Sequence, residues 1–254
     1  MQRGNIQLEG LQFPNVMRDQ GTSVELLKTK NVKDISKWAD DNRLAGDKPW
    51  GVISRAKAKQ EDLFLVLGFR KQVRTRLVFK EGRVERKQEE TTEPEIGEFH
   101  LRSDGLLELY SCGAKLRSGI LHSFSEEYGK EATSHLYLPK ESMQKLMNDS
   151  MEVLSISLSG LGNPFFSDAT LAGPDPASSK TCKELMASGD VKAFRAKYGT
   201  SSEGNSSTDV LMVTVYNNCR TRFFPGQGVQ SQSDIEEFLT RVYQLSASTD
   251  SIEE

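Results

Sequence analysis

Cysteine and histidine are scarce in this chain, three of each in 254 residues. Cys112, Cys182 and Cys219 are odd in number, widely spaced and free of any C-x-x-C pair, which argues against a disulfide framework and against structural zinc. Unpaired cysteine behaves as a small hydrophobe, so free, mostly buried thiols are expected. His100, His122 and His135 are too dispersed to suggest a metal cluster, and no cofactor is expected. Long apolar runs are missing too: LFLVLGF, residues 63–69, falls far short of the roughly 20 residues that span a bilayer. MQRGNIQLEG at the N-terminus carries no apolar block behind its Arg, so a secretory signal is not expected. Together these absences predict a cytoplasmic protein without a membrane partner.

Nucleophile and nucleotide motifs are equally thin. No G-x-S-x-G elbow occurs, and no Gly-Lys-Ser/Thr phosphate cradle. GLGNPFF, residues 160–166, fails the G-x-G-x-x-G pattern at Phe165. Arg117 and His122 have the R-x4-H spacing of some helical ribonucleases, but Gly119 between them and strands before them point to a surface His instead. Asp62 ahead of an apolar strand, with Glu85-Arg86-Lys87 downstream, loosely matches a metal-dependent nuclease, in which carboxylates hold Mg²⁺ and the Lys orients water. Such a triplet arises readily in any charged hairpin. The reading leans away from an enzyme.

What the chain does have is enough apolar and aromatic material for a packed core: 36% hydrophobic residues, with twelve Phe, six Tyr and two Trp, exclude a disordered protein. The pattern predicts an α+β fold, a mixed, mainly antiparallel sheet with short helices packed on it. Asn31 is positioned to cap a helix carrying Ile35, Trp38 and Ala39, with Gly46 beyond its end. WGVIS, LFLVLGF, VRTRLVFK and RVERKQ then read as strands, the last two a hairpin about Glu81-Gly82. A Ser103-Asp104-Gly105 turn joins EFHLR to LLELYS, and a helix with Ile120, Leu121, Phe124 and Tyr128 follows.

In the C-terminal half, EVLSISLSGL and DVLMVTVY have the character of core strands. Thr181 and Glu184 suggest a capped helix ended by Gly189, and Asp190 a further helix with Val191, Phe194 and Tyr198. Ser233 and Glu236 open the last helix, whose stripe is Ile235, Phe238, Leu239, Val242 and Leu245. An echo between DGLLELYSCGAKLR from Asp104 and DVLMVTVYNNCRTR from Asp209 leaves room for two β-β-α-like units.

The expected organisation is an N-terminal α+β region over residues 1–88, an acidic linker or loop over 89–97, a C-terminal α+β domain over 98–245 and a disordered acidic tail over 246–254. The linker rests on QEETTEPEIG, which is acidic, contains proline and lacks apolar rhythm.

Positive charge is concentrated in one place. RKQVRTRLVFKEGRVERKQ, residues 70–88, holds eight Lys/Arg against two Glu, although the whole chain has a net charge of −3. Strand periodicity puts Arg74, Arg76, Val78 and Lys80 on one face and Val73, Thr75, Leu77 and Phe79 on the other. The apolar face is expected to seal on the core and the cations to face solvent. This predicts a non-catalytic protein that contacts DNA or RNA phosphates through Arg70, Lys71, Arg74, Arg76, Lys80, Arg83, Arg86 and Lys87, with salt-sensitive affinity. Aromatics for base stacking are sparse. The alternative is an adaptor or scaffold subunit of a complex that binds a protein partner through the proline-rich stretch 160–180, with Phe165 and Phe166 as anchors.

Overall fold

The computed structural model describes residues 22–30, 32, 34–46, 48–58, 61–80, 82–162, 166–199, 210–224 and 232–248. Its elements are β1 (Ser23–Thr29), α1 (Ile35–Asp41), β2 (Trp50–Ala58), β3 (Glu61–Lys80), β4 (Arg83–Arg102), β5 (Leu106–Tyr110), α2 (Ala114–Tyr128) and β6 (Thr133–Tyr137). There follow α3 (Lys140–Asn148), β7 (Glu152–Ser159), β8 (Ala169–Ala172), a short 3-10 turn (Pro176–Ser178), α4 (Lys180–Ser188), β9 (Asp190–Gly199), β10 (Val210–Tyr216), β11 (Arg220–Phe224), α5 (Gln232–Leu245) and β12 (Ala247–Ser248). The fold is α+β with mainly antiparallel strands, as expected. The chain forms two compact units, one of residues 28–134 and one of 1–27 with 135–254.

In the unit of residues 28–134, β2, β3, β4 and β5 form an antiparallel meander in chain order. Period two places Phe99, Leu101, Leu107 and Leu109 on one face, where they are buried. Against this face Trp38 of α1 and Phe124 of α2 meet Phe64 and Phe99 in an aromatic cluster, the Trp38 ring lying 4.6 Å from Phe124, 5.2 Å from Phe99 and 6.0 Å from Phe64. The capping residue of α1 is Asp34, not Asn31, which lies outside the described residues. Asp34 accepts the Lys37 amide proton at 3.2 Å from a left-handed conformation.

Gly119 lets α2 approach the sheet, because a Cβ there would run into the Trp50 indole. Helix propensity alone favours Ala over Gly by about 1 kcal/mol. The clash opposes that gain, and overpacking of this kind costs about 1–3 kcal/mol. Gly119→Ala is therefore expected to lower the urea midpoint, read by tryptophan emission; a raised midpoint would mean that Trp50 moves aside freely.

In the other unit the antiparallel order is β1-β11-β10-β9-β7-β8, with β6 paired to β12. Phe194, Ala196 and Tyr198 of β9, Leu211, Val213 and Val215 of β10 and Phe223 of β11 are buried, as are Met143, Leu146 and Met147 of α3 and Phe238, Leu239 and Val242 of α5. Phe238 lies 4.9 Å from Tyr198 and 6.0 Å from Phe223, and the Tyr198 hydroxyl donates to the Leu146 carbonyl at 2.7 Å. The helices thus cover this face of the sheet. The cap of α4 is Ser179, which accepts from the Cys182 amide, and α5 begins at Gln232, so Ser233 lies inside its first turn.

Three expectations are corrected. Residues 89–97 are not a linker but the middle of β4, paired in register with β3, and the chain divides elsewhere. Pro94 misled because it sits opposite Phe69, whose amide bonds outward to the Pro49 carbonyl at 3.0 Å. That is a non-hydrogen-bonded pair, so the proline nitrogen faces the open edge and no ladder bond is lost. Second, residues 190–199 form strand β9, not a helix from Asp190. Third, the expected tail over 246–254 contains β12, while residues 249–254 lie outside the described residues. Two hairpin-plus-helix units do occur, β4-β5-α2 and β10-β11-α5, but the sequence echo set β5 against β10 and so aligned unlike elements.

Candidate nucleic-acid interface

The cationic stretch lies on the longest hairpin in the molecule. β3 and β4 are twenty residues each and remain paired from Glu61↔Arg102 to Lys80↔Arg83. β2 accompanies β3 only as far as Gly68, and β5 accompanies β4 only from Glu98. Among the described residues no third strand joins the ribbon beyond these points, so residues 69–80 and 83–94 form a two-stranded arm. Gly82 turns its tip with φ of 76°, in the left-handed region that glycine tolerates.

Cross-strand register sorts the arm into two faces. Arg74, Arg76 and Val78 share one face with Arg83, Glu85, Lys87 and Glu89; Val73, Thr75, Leu77 and Phe79 share the other with Val84, Arg86, Gln88 and Glu90. Arg86 is thereby separated from Arg74, Arg76, Arg83 and Lys87, and position 71 falls on its side of the register. Arg70, Lys71 and Lys80 stand in register opposite Glu93, Thr92 and Arg83; their side chains lie outside the described set. Folding also brings the acids of 89–97 back along the basic strand. Arg74 pairs with Glu93 at 3.1 Å, Arg76 with Glu89 at 3.6 Å and Lys87 with Glu89 at 3.8 Å. These groups stay largely exposed, so each pair stabilises by at most about 1 kcal/mol and can be exchanged for a competing anion. Arg83 and Arg86 form no ion pair among the described residues.

The apolar face does not seal on a core, contrary to expectation. Val73, Leu77, Phe79 and Val84 are all more than half exposed, because the arm extends past the sheet that would have buried them. Phe166, the described half of the Phe pair, is exposed and does not pin its loop; Phe165 lies outside the described residues.

The catalytic alternatives do not assemble. Asp62 is opposite Leu101 and Glu85 is opposite Val78, sixteen strand positions apart along β3, or roughly 50 Å at about 3.3 Å per residue. No metal ion could take ligands from both. His122 is an exposed helix residue paired with Glu126 at 3.3 Å. The three cysteines are unbridged; burial pushes the Cys219 thiol up to about 12 and raises that of Cys182, so neither supplies thiolate at neutral pH. In the unit with residues 135–254, an open pocket beside α5 is lined by Tyr198, Phe238 and Arg241. Two of its polar groups are engaged, Tyr198 with Leu146 and Arg241 with Asp149.

One cluster escaped sequence reading. Glu98, His100 and Glu108 are buried on the sheet face opposite the aromatic cluster. The imidazole lies tilted against Tyr110, ring centres 4.5 Å apart, and its nitrogens lie 3.7–3.8 Å from carboxylates of Glu61, Glu98 and Glu108, too far to hydrogen-bond. Tyr110 donates to Glu108 at 2.7 Å, but neither oxygen of Glu98 has a hydrogen-bond partner. Alternation in EFHLR marked these residues as one face; nothing in the sequence marked that face as buried. Among the described residues no group of His, Cys, Asp and Glu is arranged to hold a metal ion, and no helix is long and apolar enough to cross a membrane. No protein-family model and no curated protein sequence matches the chain.

Proposed function

We propose that this chain is a non-catalytic, cytoplasmic nucleic-acid-binding protein that lays the polar face of the β3–β4 arm along DNA or RNA phosphates. The observation that carries this reading is the placement of like charges directly across the ribbon, Arg76 opposite Lys87. Such pairs destabilise a sheet on their own. A row of phosphates relieves the repulsion and displaces the exposed Glu89 and Glu93 contacts, with guanidinium forks taking two oxygens each. The aromatics of the arm, Phe69 and Phe79, fall by register on the opposite face, so contact runs to the backbone with weak sequence preference. The three unbridged thiols support a reducing compartment.

The test is an electrophoretic shift of nuclease-treated protein on mixed-sequence duplex and single strands across a salt series. Arg83→Glu with Lys87→Glu is expected to weaken binding to all sequences alike and to reduce the log–log salt slope by about two. The same change at Lys180 and Lys183 of α4 should leave the slope unaltered. A wild-type shift indifferent to the arm variant would remove the arm from the function. The exposure of Phe166 favours the adaptor reading as the alternative: a partner protein retained after nuclease treatment and lost with Phe166→Ser.

A further inference from the structure

The seven large hydrophobic side chains that stand exposed among the described residues are not scattered: Val73, Leu77, Val78, Phe79 and Val84 all belong to the arm, leaving only Met151 and Phe166 elsewhere. Four of the five occupy one face, at exposures of 56% for Val73, 68% for Leu77, 74% for Phe79 and 62% for Val84. Among the described residues no third strand and no layer covers the apolar face of this ribbon, and an isolated two-stranded ribbon is marginal in water. An exposed apolar patch rimmed by polar groups is the ordinary signature of an interface. The phosphates proposed to lie on the other face do not cover it, since they are anionic.

We infer that this face is a homodimer interface, in which the arms of two copies pack face to face and run in opposite directions about a two-fold axis. Charge selects the occupant. Arg86 lies opposite Leu77 and Glu90 opposite Val73, so one cation and one anion sit on the same face of the same strand, four residues apart. At about 3.3 Å per residue they are roughly 13 Å from each other, too far to pair within one arm. Neither forms an ion pair among the described residues. An axis through the Thr75–Gln88 pair sets each strand over its own copy reversed. Arg86 then meets Glu90 of the partner subunit twice and Leu77 covers the partner's Val73, while Phe79 and Val84 fall over positions 71 and 92 of the other arm. A self-complementary surface of this kind is what a two-fold contact requires. An anionic membrane or a polyanion would instead meet Glu90 as a like charge. The packing leaves Arg74, Arg76, Arg83 and Lys87 on the outer faces of the paired arms. The inference does not rest on nucleic-acid binding.

Sedimentation equilibrium of the full chain, nuclease-treated and run across a concentration series, tests it. The wild type is expected to sediment as a dimer, and Leu77→Ser with Phe79→Ser as a monomer with unchanged tryptophan emission. Arg86→Glu should weaken the dimer roughly tenfold, and adding Glu90→Arg should restore it, because the reversed charges again meet across the axis. A monomeric wild type, a dimer insensitive to Leu77 and Phe79, or a charge swap that fails to restore association would each overturn the inference. Loss of nucleic-acid binding with the dimer intact would instead count against the function proposed above and leave this interface standing.

Discussion

Trp38→Ala is expected to lower the unfolding free energy by about 3–5 kcal/mol, the usual cost of truncating a large buried aromatic. The Trp38 ring is 1% exposed and touches Trp50, Phe64, Phe99 and Phe124, so it joins both helices of the 28–134 unit to their sheet. Its indole nitrogen donates to the Ser123 hydroxyl at 3.2 Å, a bond that alanine also removes. Against a domain stability of about 5–15 kcal/mol the loss is a large fraction, and the cavity left between α1, α2 and the sheet cannot close without moving two helices. Trp38→Phe should cost clearly less, since it keeps most of the ring contact. Both tryptophans of the chain, Trp38 and Trp50, lie in this unit, so tryptophan emission in the wild type reports it alone while far-UV circular dichroism reports the whole chain. In the variant the midpoint read from Trp50 emission should fall; an unchanged midpoint would show that the aromatic cluster contributes little.

Much of the fold was legible because local chemistry and tertiary placement agree. Asp104-Gly105 announced a tight turn, and Gly105 adopts φ of 82° there; the stripe Phe238, Leu239, Val242 announced α5, and all three are buried. Where reading failed, a tertiary feature had altered the spacing. In β9, Val191 pairs with Leu158 and Ala193 with Ser157, so Lys192 bulges out and shifts the phase of the strand. Val191 and Phe194 then share a face three residues apart, which imitates a helix. The arm failed for a different reason. Both its faces meet solvent, so no burial pattern separates strand from loop, and its length became evident only through the pairing of acidic β4 with basic β3. The candidate cations were identifiable as a set, but not the division that sends Arg86 to the apolar face, because that depends on which residues stand opposite each other.

The buried carboxylates make the opposite kind of prediction, a substitution that stabilises. Glu98 is fully buried with both oxygens unpartnered, beside Glu108 and within 3.7 Å of an imidazole to which it makes no hydrogen bond. An uncompensated buried charge costs several kcal/mol, and the same shape without the charge avoids it. Glu98→Gln is therefore expected to raise stability at neutral pH by about 1–3 kcal/mol, measured by urea unfolding. Glu108 gives the accompanying pH signature. Burial raises its carboxyl above the ordinary 4.5, against the Tyr110 hydrogen bond and the nearby His100 and Arg102. The folded chain then keeps this proton to higher pH than the unfolded chain, so the group's contribution to stability declines as pH rises through the interval above 4.5. Glu108→Gln should flatten that decline while retaining an acceptor for Tyr110. His100→Leu should act in the other sense, leaving Glu61, Glu98 and Glu108 without the ring set among them. A gain at Glu98 with a loss at His100 would show that the cluster is held by its imidazole and strained by its excess of carboxylates; two losses would mean that the Glu98 charge is compensated.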